Sequence, residues 1–210
     1  MIELSASILG ANIMQLGQEI DLAVKAGVKR LHLDIMDGNY VDNISFGCDL
    51  IPLIKARNSL PIDVHLMTEK TDKIASKCLC CMPNTITFHP ATAKNPANLI
   101  SQIKAQKVKA GIAINPEDDV NDFLELFKLV DEVILMTVVP GACGQAFMPE
   151  TLNKIEPIRK HFAGTLTIDG GVKPKTIKTL KKYPINVAVS GSGIFSGDLE
   201  KNLEEFASNN

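Results

Sequence analysis

The chain has 210 residues, 45% of them hydrophobic and 22% charged, with a net charge of −2. That length and polarity suit one domain over residues 1–210 with a large core, and the absence of a basic cluster speaks against nucleic acid or an anionic membrane surface as partner. No apolar run approaches the roughly 18 residues of a membrane helix, the N-terminus has no basic segment ahead of a long apolar one, and five cysteines, an odd count, read as free thiols; the expectation is a cytoplasmic protein with a small-molecule ligand.

Short apolar runs alternate with longer amphipathic ones. A strand is expected at 3–9, then a helix at 13–26 that Gly27 closes in a left-handed cap. Strand 30–36 precedes helix 48–57, and strand 61–67 precedes helix 71–81. Next come strand 84–89 and helix 95–106, where Asn95 before Pro96 marks the start. Strand 109–114, helix 119–130, strand 132–137, helix 149–162, strand 165–169, helix 173–182 (starting at Lys173-Pro174), strand 185–190 and helix 197–207 complete eight units. Strict alternation with crossover helices demands a parallel sheet, and eight units close into a (β/α)8 barrel. An open doubly wound sheet is the alternative, but no G-x-G-x-x-G turn follows the first strand.

Active sites of such barrels lie at the carboxyl ends of the strands. There the chain carries Ser7, then His32, Asp34 and Met36 on one face of strand two, His65 and Met67 on strand three, His89, Met136 and Asp169. Burying an ionised carboxylate alone costs several kcal/mol, so Asp34 needs a partner. His32, Asp34, His65 and Asp169 together form a two-nitrogen, two-oxygen set suited to one divalent ion, Zn2+ first, with Fe2+, Mn2+ or Co2+ as substitutes. His89 reads as a further ligand, a hydrogen-bonding partner behind the ligands, or a core histidine. Asp37 and Asp42 read as turn residues, His161 as a solvated helix end, and Cys78-x-Cys80-Cys81 as a small-residue helix face more than a soft-metal site.

Glycine clusters follow strands six, seven and eight, at 140–145, 169–171 and 190–193, where backbone N–H groups can approach a phosphate. A metal beside two carboxylates, with phosphate held at a distance, suits proton abstraction next to a sugar-phosphate carbonyl. Asp34 and Asp169 would serve as base and acid. Met36, Met67 and Met136 suit either a polarizable cover over the reacting carbons or barrel packing.

The motifs SASILGAN, LHLDIMDGNYVDNISFG, DVHLM, INPED, MTVVPGACGQAFMPETLNKI, IDGGV and SGSGIF, running from residue 5 to about 196, closely resemble ribulose-phosphate 3-epimerases. The resemblance implies a TIM barrel of the ribulose-phosphate-binding type that interconverts D-ribulose 5-phosphate and D-xylulose 5-phosphate in the pentose phosphate pathway, as a dimer or hexamer. It implies metal ligands His32, Asp34, His65 and Asp169, acid and base Asp34 and Asp169, substrate contacts at Ser7 and His65, and a cover of Met36, Met67 and Met136. Its phosphate loops fall on Gly141, Gly144, Gly171, Gly191 and Ser192. The chain departs from the family's P-G-F-G-G-Q, where Ala142 and Cys143 replace an aromatic residue and a glycine over the substrate; it also has Asp42 and Ala6 where the family has prolines. Rivals are D-allulose-6-phosphate 3-epimerase, the similar barrel decarboxylases, whose D-x-K-x-x-D pattern is missing here, and a non-catalytic sugar-phosphate-binding barrel.

Overall fold

The computed structural model describes residues 1–210, and its eight parallel strands close on themselves in sequence order. They are β1 Glu3–Ser7, β2 Arg30–Met36, β3 Ile62–Met67, β4 Thr85–Phe88, β5 Lys109–Ile114, β6 Glu132–Met136, β7 Thr165–Asp169 and β8 Val187–Ser190. Because β1 pairs with both β2 and β8, no strand edge is left open. This is the (β/α)8 barrel that the alternation predicts.

The helices are α1 Leu16–Lys25, α2 Leu50–Arg57, α3 Thr71–Leu79, α4 Pro96–Ala105, α5 Leu124–Phe127, α6 Ile155–His161, α7 Pro174–Leu180, α8 Ser192–Phe195 and α9 Leu199–Asn209. Gly27 follows α1 with φ +100°, as a left-handed cap requires. Asn95 caps α4 by accepting from the Asn98 N–H at 3.0 Å, with Pro96 in the first turn.

Several expected helices are shorter than their periodic patterns. The stretch 119–130 is a 3-10 turn at Val120–Phe123 followed by the four-residue α5, since Asp119 takes the Asn121 N–H at 2.9 Å and holds the chain in a local turn. The stretch 149–162 is likewise split, with 3-10 geometry over Pro149–Lys154 before α6. Pro157 has no N–H to donate and its ring would meet the carbonyl four residues back, so it cannot sit inside one continuous α-helix. At the first strand, Ile8–Gly10 turns into a 3-10 helix in place of extending β1 to residue 9. The SGSG run, read as a loop, continues as the short helix α8.

Alternation along the strands divides the interior. Leu31, Leu33 and Ile35 face outward into a 45-residue apolar shell between strands and helices, while His32, Asp34 and Met36 face the barrel axis. Burying each large apolar side chain in that shell contributes about 1.5–3 kcal/mol. The axis below the mouth is polar. Arg30 bridges Glu3 at 2.8 Å and Asp63 at 2.6 Å, and Thr167 donates its hydroxyl to Glu132. Burial, reinforced by the negative charge of Asp63, pushes the Glu132 carboxyl up to about 7.

Candidate active site

Strand register builds the site. Ser7 lies beside His32, Asp34 beside His65, Met36 beside Met67 and Met136 beside Asp169, all near the carboxyl ends of β1, β2, β3, β6 and β7. Asp34 and Asp169 thus arrive from strands that are not neighbours.

His32 Nε2 lies 3.2 Å from Asp34 Oδ1 and 3.4 Å from Asp169 Oδ2; His65 Nδ1 lies 3.3 Å and 3.4 Å from the same two oxygens. One donor atom from each residue falls within 4.8 Å of the others, and all four residues are buried. Although so close, neither nitrogen makes a hydrogen bond of adequate geometry. Ligands about 2.0–2.1 Å from a tetrahedral centre are about 3.3–3.4 Å apart, so these four contacts have the length of edges of a zinc-type coordination shell. The donor chemistry and the orphaned ring nitrogens both fit a divalent cation.

Electrostatics agree with that fit. Burial opposes charge on His32 and His65, but Asp34 and Asp169 outweigh it and raise both imidazole pKa values. Burial likewise opposes ionisation of the two carboxyls, and the imidazoles more than compensate, holding Asp34 and Asp169 below the usual range. The set thus demands positive charge, from protons or from a metal.

The second oxygen of Asp34 has its own partner, the Ser7 hydroxyl, which donates to Oδ2 at 2.6 Å. The main chain beside it is also held: Ser45 Oγ donates to the Asp34 carbonyl at 2.5 Å and accepts from the Met36 N–H at 2.9 Å. Ser45 sits in a loop nine residues beyond Met36, and no period or spacing in the sequence points to it.

Above the two histidines opens a cleft. Ser7, Asp34, Asp169, Met36, Met67 and Met136 line its lower part, and Gly141, Ala142, Cys143, Gly144, Gly171, Gly191 and Ser192 line its upper wall. Every predicted site residue except the two buried histidines therefore borders one cavity. Leu9, Pro140, Gly170 and Val172, which carry no polar signal in sequence, border it too. Gly171 has φ +66°, and a Cβ there would approach the Phe147 backbone to 2.6 Å.

His89 stands outside the four-residue set. Its Nε2 lies 3.0 Å from His65 Nε2, and its ring stacks between those of His65 and Tyr40 at centroid distances of 5.1 and 4.8 Å. For His65 Nδ1 to offer a lone pair to the site, His65 Nε2 carries the proton and donates it to His89. Burial, with the neighbouring His65, holds the His89 pKa well below its ordinary value, keeping it neutral and able to accept. Of the three readings open for His89, its contact with His65 Nε2 has the geometry of a hydrogen-bonding partner behind that residue. Asp37 is a loop clasp, accepting from the N–H groups of Asn39, Tyr40 and Glu69, and His161 is an exposed helix end.

The model of the ribulose-phosphate 3-epimerase family matches residues 3–195. The chain belongs to the ribulose-phosphate 3-epimerase family. It is 36% identical over 198 residues to the ribulose-phosphate 3-epimerase of Buchnera aphidicola (strain APS), covering 91% of this chain and 87% of that one. It is 34% identical to that of Mycobacterium leprae, with the same coverage, and 32% identical to that of Escherichia coli K12, covering 98% and 94%. This epimerase family places the chain among the isomerases. Among solved structures, the tryptophan synthase α-subunit of Pyrococcus furiosus (E244A variant) superposes with a TM-score of 0.76 at 11% identity, over 98% of each chain. A phosphoribosylanthranilate isomerase from Thermotoga maritima gives 0.69 at 15%, over 100% and 98%. At such identities the likeness concerns the barrel alone.

Proposed function

We propose that this epimerase interconverts D-ribulose 5-phosphate and D-xylulose 5-phosphate by moving a proton at C3, with a divalent ion held by His32, Asp34, His65 and Asp169. One observation carries the reading: two buried carboxylates from non-neighbouring strands converge on two hydrogen-bond-free imidazole nitrogens at the floor of a cleft. Bound there, the ion would polarise the ketone and stabilise the enediolate as charge develops.

In this reading Asp34 and Asp169 exchange roles with reaction direction, one removing the C3 proton and the other returning a proton to the opposite face. Ser7 orients Asp34 by holding Oδ2, leaving Oδ1 for the ion. The sulfurs of Met36, Met67 and Met136 cover the reacting carbons and exclude water without opposing the delocalised anion. Backbone N–H groups of the loops carrying Gly141, Gly144, Gly171, Gly191 and Ser192 would hold the phosphate, with Ala142 and Cys143 forming the outer wall. Zn2+ suits the donor set first, and Fe2+, Mn2+ or Co2+ can replace it.

The test is proton exchange at C3 in deuterated water, followed by NMR with ribulose 5-phosphate and allulose 6-phosphate in parallel. Exchange with the pentulose that disappears on chelation and returns with Zn2+ supports the reading. Preference for the hexulose would replace the substrate and keep the chemistry, and no exchange with either would overturn both.

A further inference from the structure

Cys48 lies at the end of the loop between β2 and α2, and its thiol donates to the Ile74 carbonyl on α3 at 3.8 Å. In an α-helix that carbonyl accepts from the N–H four residues on, here Cys78, so the Cys48 sulfur rests against the turn that carries the second thiol. Each thiol lies close enough to the other to perturb its ionisation. Cys48 also borders an open cleft with Met36, Asp37, Thr68, Lys77 and Cys81, whereas Cys78 is fully buried behind it. One sulfur thus meets solvent, and its neighbour has no exposed surface.

We propose that Cys48 and Cys78 are a peroxide-oxidisable pair, a modification site separate from the catalytic cleft. The two sulfurs are chemically unequal. The neighbouring Cys78 thiol, against an opposing effect of burial, lowers the Cys48 pKa, while the proximity of Cys48, with burial, raises that of Cys78. Cys48, which peroxide can reach, is therefore the attacking sulfur, and the buried Cys78 the resolving one. Cys48 sulfur attacks one peroxide oxygen and the O–O bond breaks, leaving a sulfenic acid and a hydroxide that takes up a proton. Cys78 sulfur then attacks the Cys48 sulfur, the S–O bond breaks, and hydroxide leaves as water with the Cys78 proton. Two thiols and one peroxide become one disulfide and two waters, the sulfurs supplying both electrons. The bond would tie to α3 the loop whose Ser45 holds the Asp34 and Met36 backbone.

The experiment treats the zinc-loaded protein with hydrogen peroxide, blocks free thiols with N-ethylmaleimide, and maps tryptic peptides without reduction. The expected product joins the peptide carrying Cys48 to the peptide beginning at Cys78, two hydrogens lighter than their sum, and separates with dithiothreitol. Cys80 and Cys81 share that second peptide, so the C80S/C81S protein is run alongside and must give the same crosslink. C48S and C78A should reduce it at least tenfold; should C78A not fold, the C80S/C81S protein decides alone, since Cys78 is then the remaining thiol on that peptide. Crosslinking through Cys80 or Cys81, Cys48 passing to sulfinic acid without a partner, or Cys48 staying reduced while Cys80 oxidises would each overturn the proposal.

Discussion

The Ser7 hydroxyl donates to Asp34 Oδ2 at 2.6 Å, while Asp34 Oδ1 faces the nitrogens of His32 and His65 at 3.2 and 3.3 Å. One carboxylate is thereby divided between a fixed donor and the candidate metal position, which sets its plane. Hydrogen bonds to charged groups contribute about 1.5–3 kcal/mol, so S7A should lower kcat by about 10- to 100-fold. Metal content, read by atomic absorption, should stay near one ion per chain in that variant.

Asp169 serves the same set from β7. Proton transfer by a positioned group is worth about 100- to 10,000-fold, so D169N should reduce turnover by at least that much while substrate binding, followed by calorimetry, persists. Epimerisation at the wild-type rate in D169N would remove Asp169 from the acid/base pair.

Metal binding should depend steeply on pH. With burial opposing and Asp34 and Asp169 prevailing, His32 and His65 hold protons above the ordinary imidazole range in the metal-free protein. The ion must displace those protons, so affinity rises as pH rises and falls as pH falls, by up to about 100-fold per unit where two protons leave. Calorimetric titration of the chelated protein with Zn2+, in two buffers of different ionisation enthalpy, counts the protons released.

Glu132 gives a stability prediction from outside the ligand set. Burial and the Asp63 charge raise its carboxyl to about 7 from 4.5. Between those values the folded chain holds a proton that the unfolded chain has lost, so this contribution is fully present below 4.5 and disappears as pH rises to about 7. E132Q should abolish that decline, at most about 3 kcal/mol, and gain stability relative to wild type at pH 8 compared with pH 5. Urea unfolding of both proteins at the two pH values checks it.

The order and type of the barrel elements were legible in the sequence because period-two and period-3.6 patterns are local consequences of backbone geometry. The same alternation put Arg30, His32, Asp34 and Met36 on one face of β2, and Asp63, His65 and Met67 on one face of β3. The lower polar layer of Arg30, Asp63 and Glu132 was not read as such from the sequence, because which of these charges meet is set by strand register across the barrel. Local turn chemistry at Asp119 and Pro157 shortened helices that periodicity alone would have extended.

What residues could meet a metal was thus written in their types and in their places along each strand. That His32 Nε2 and His65 Nδ1 point at the same two oxygens was decided only by barrel closure, because ligands from β2, β3 and β7 have no fixed sequence separation and their distances follow from strand register and tilt. Tertiary packing alone settled that His89 stands behind His65, that Ser45 holds the Asp34 backbone, and that Cys48 rests on α3 beside Cys78. Each of those contacts joins segments through space, where local pattern carries no information.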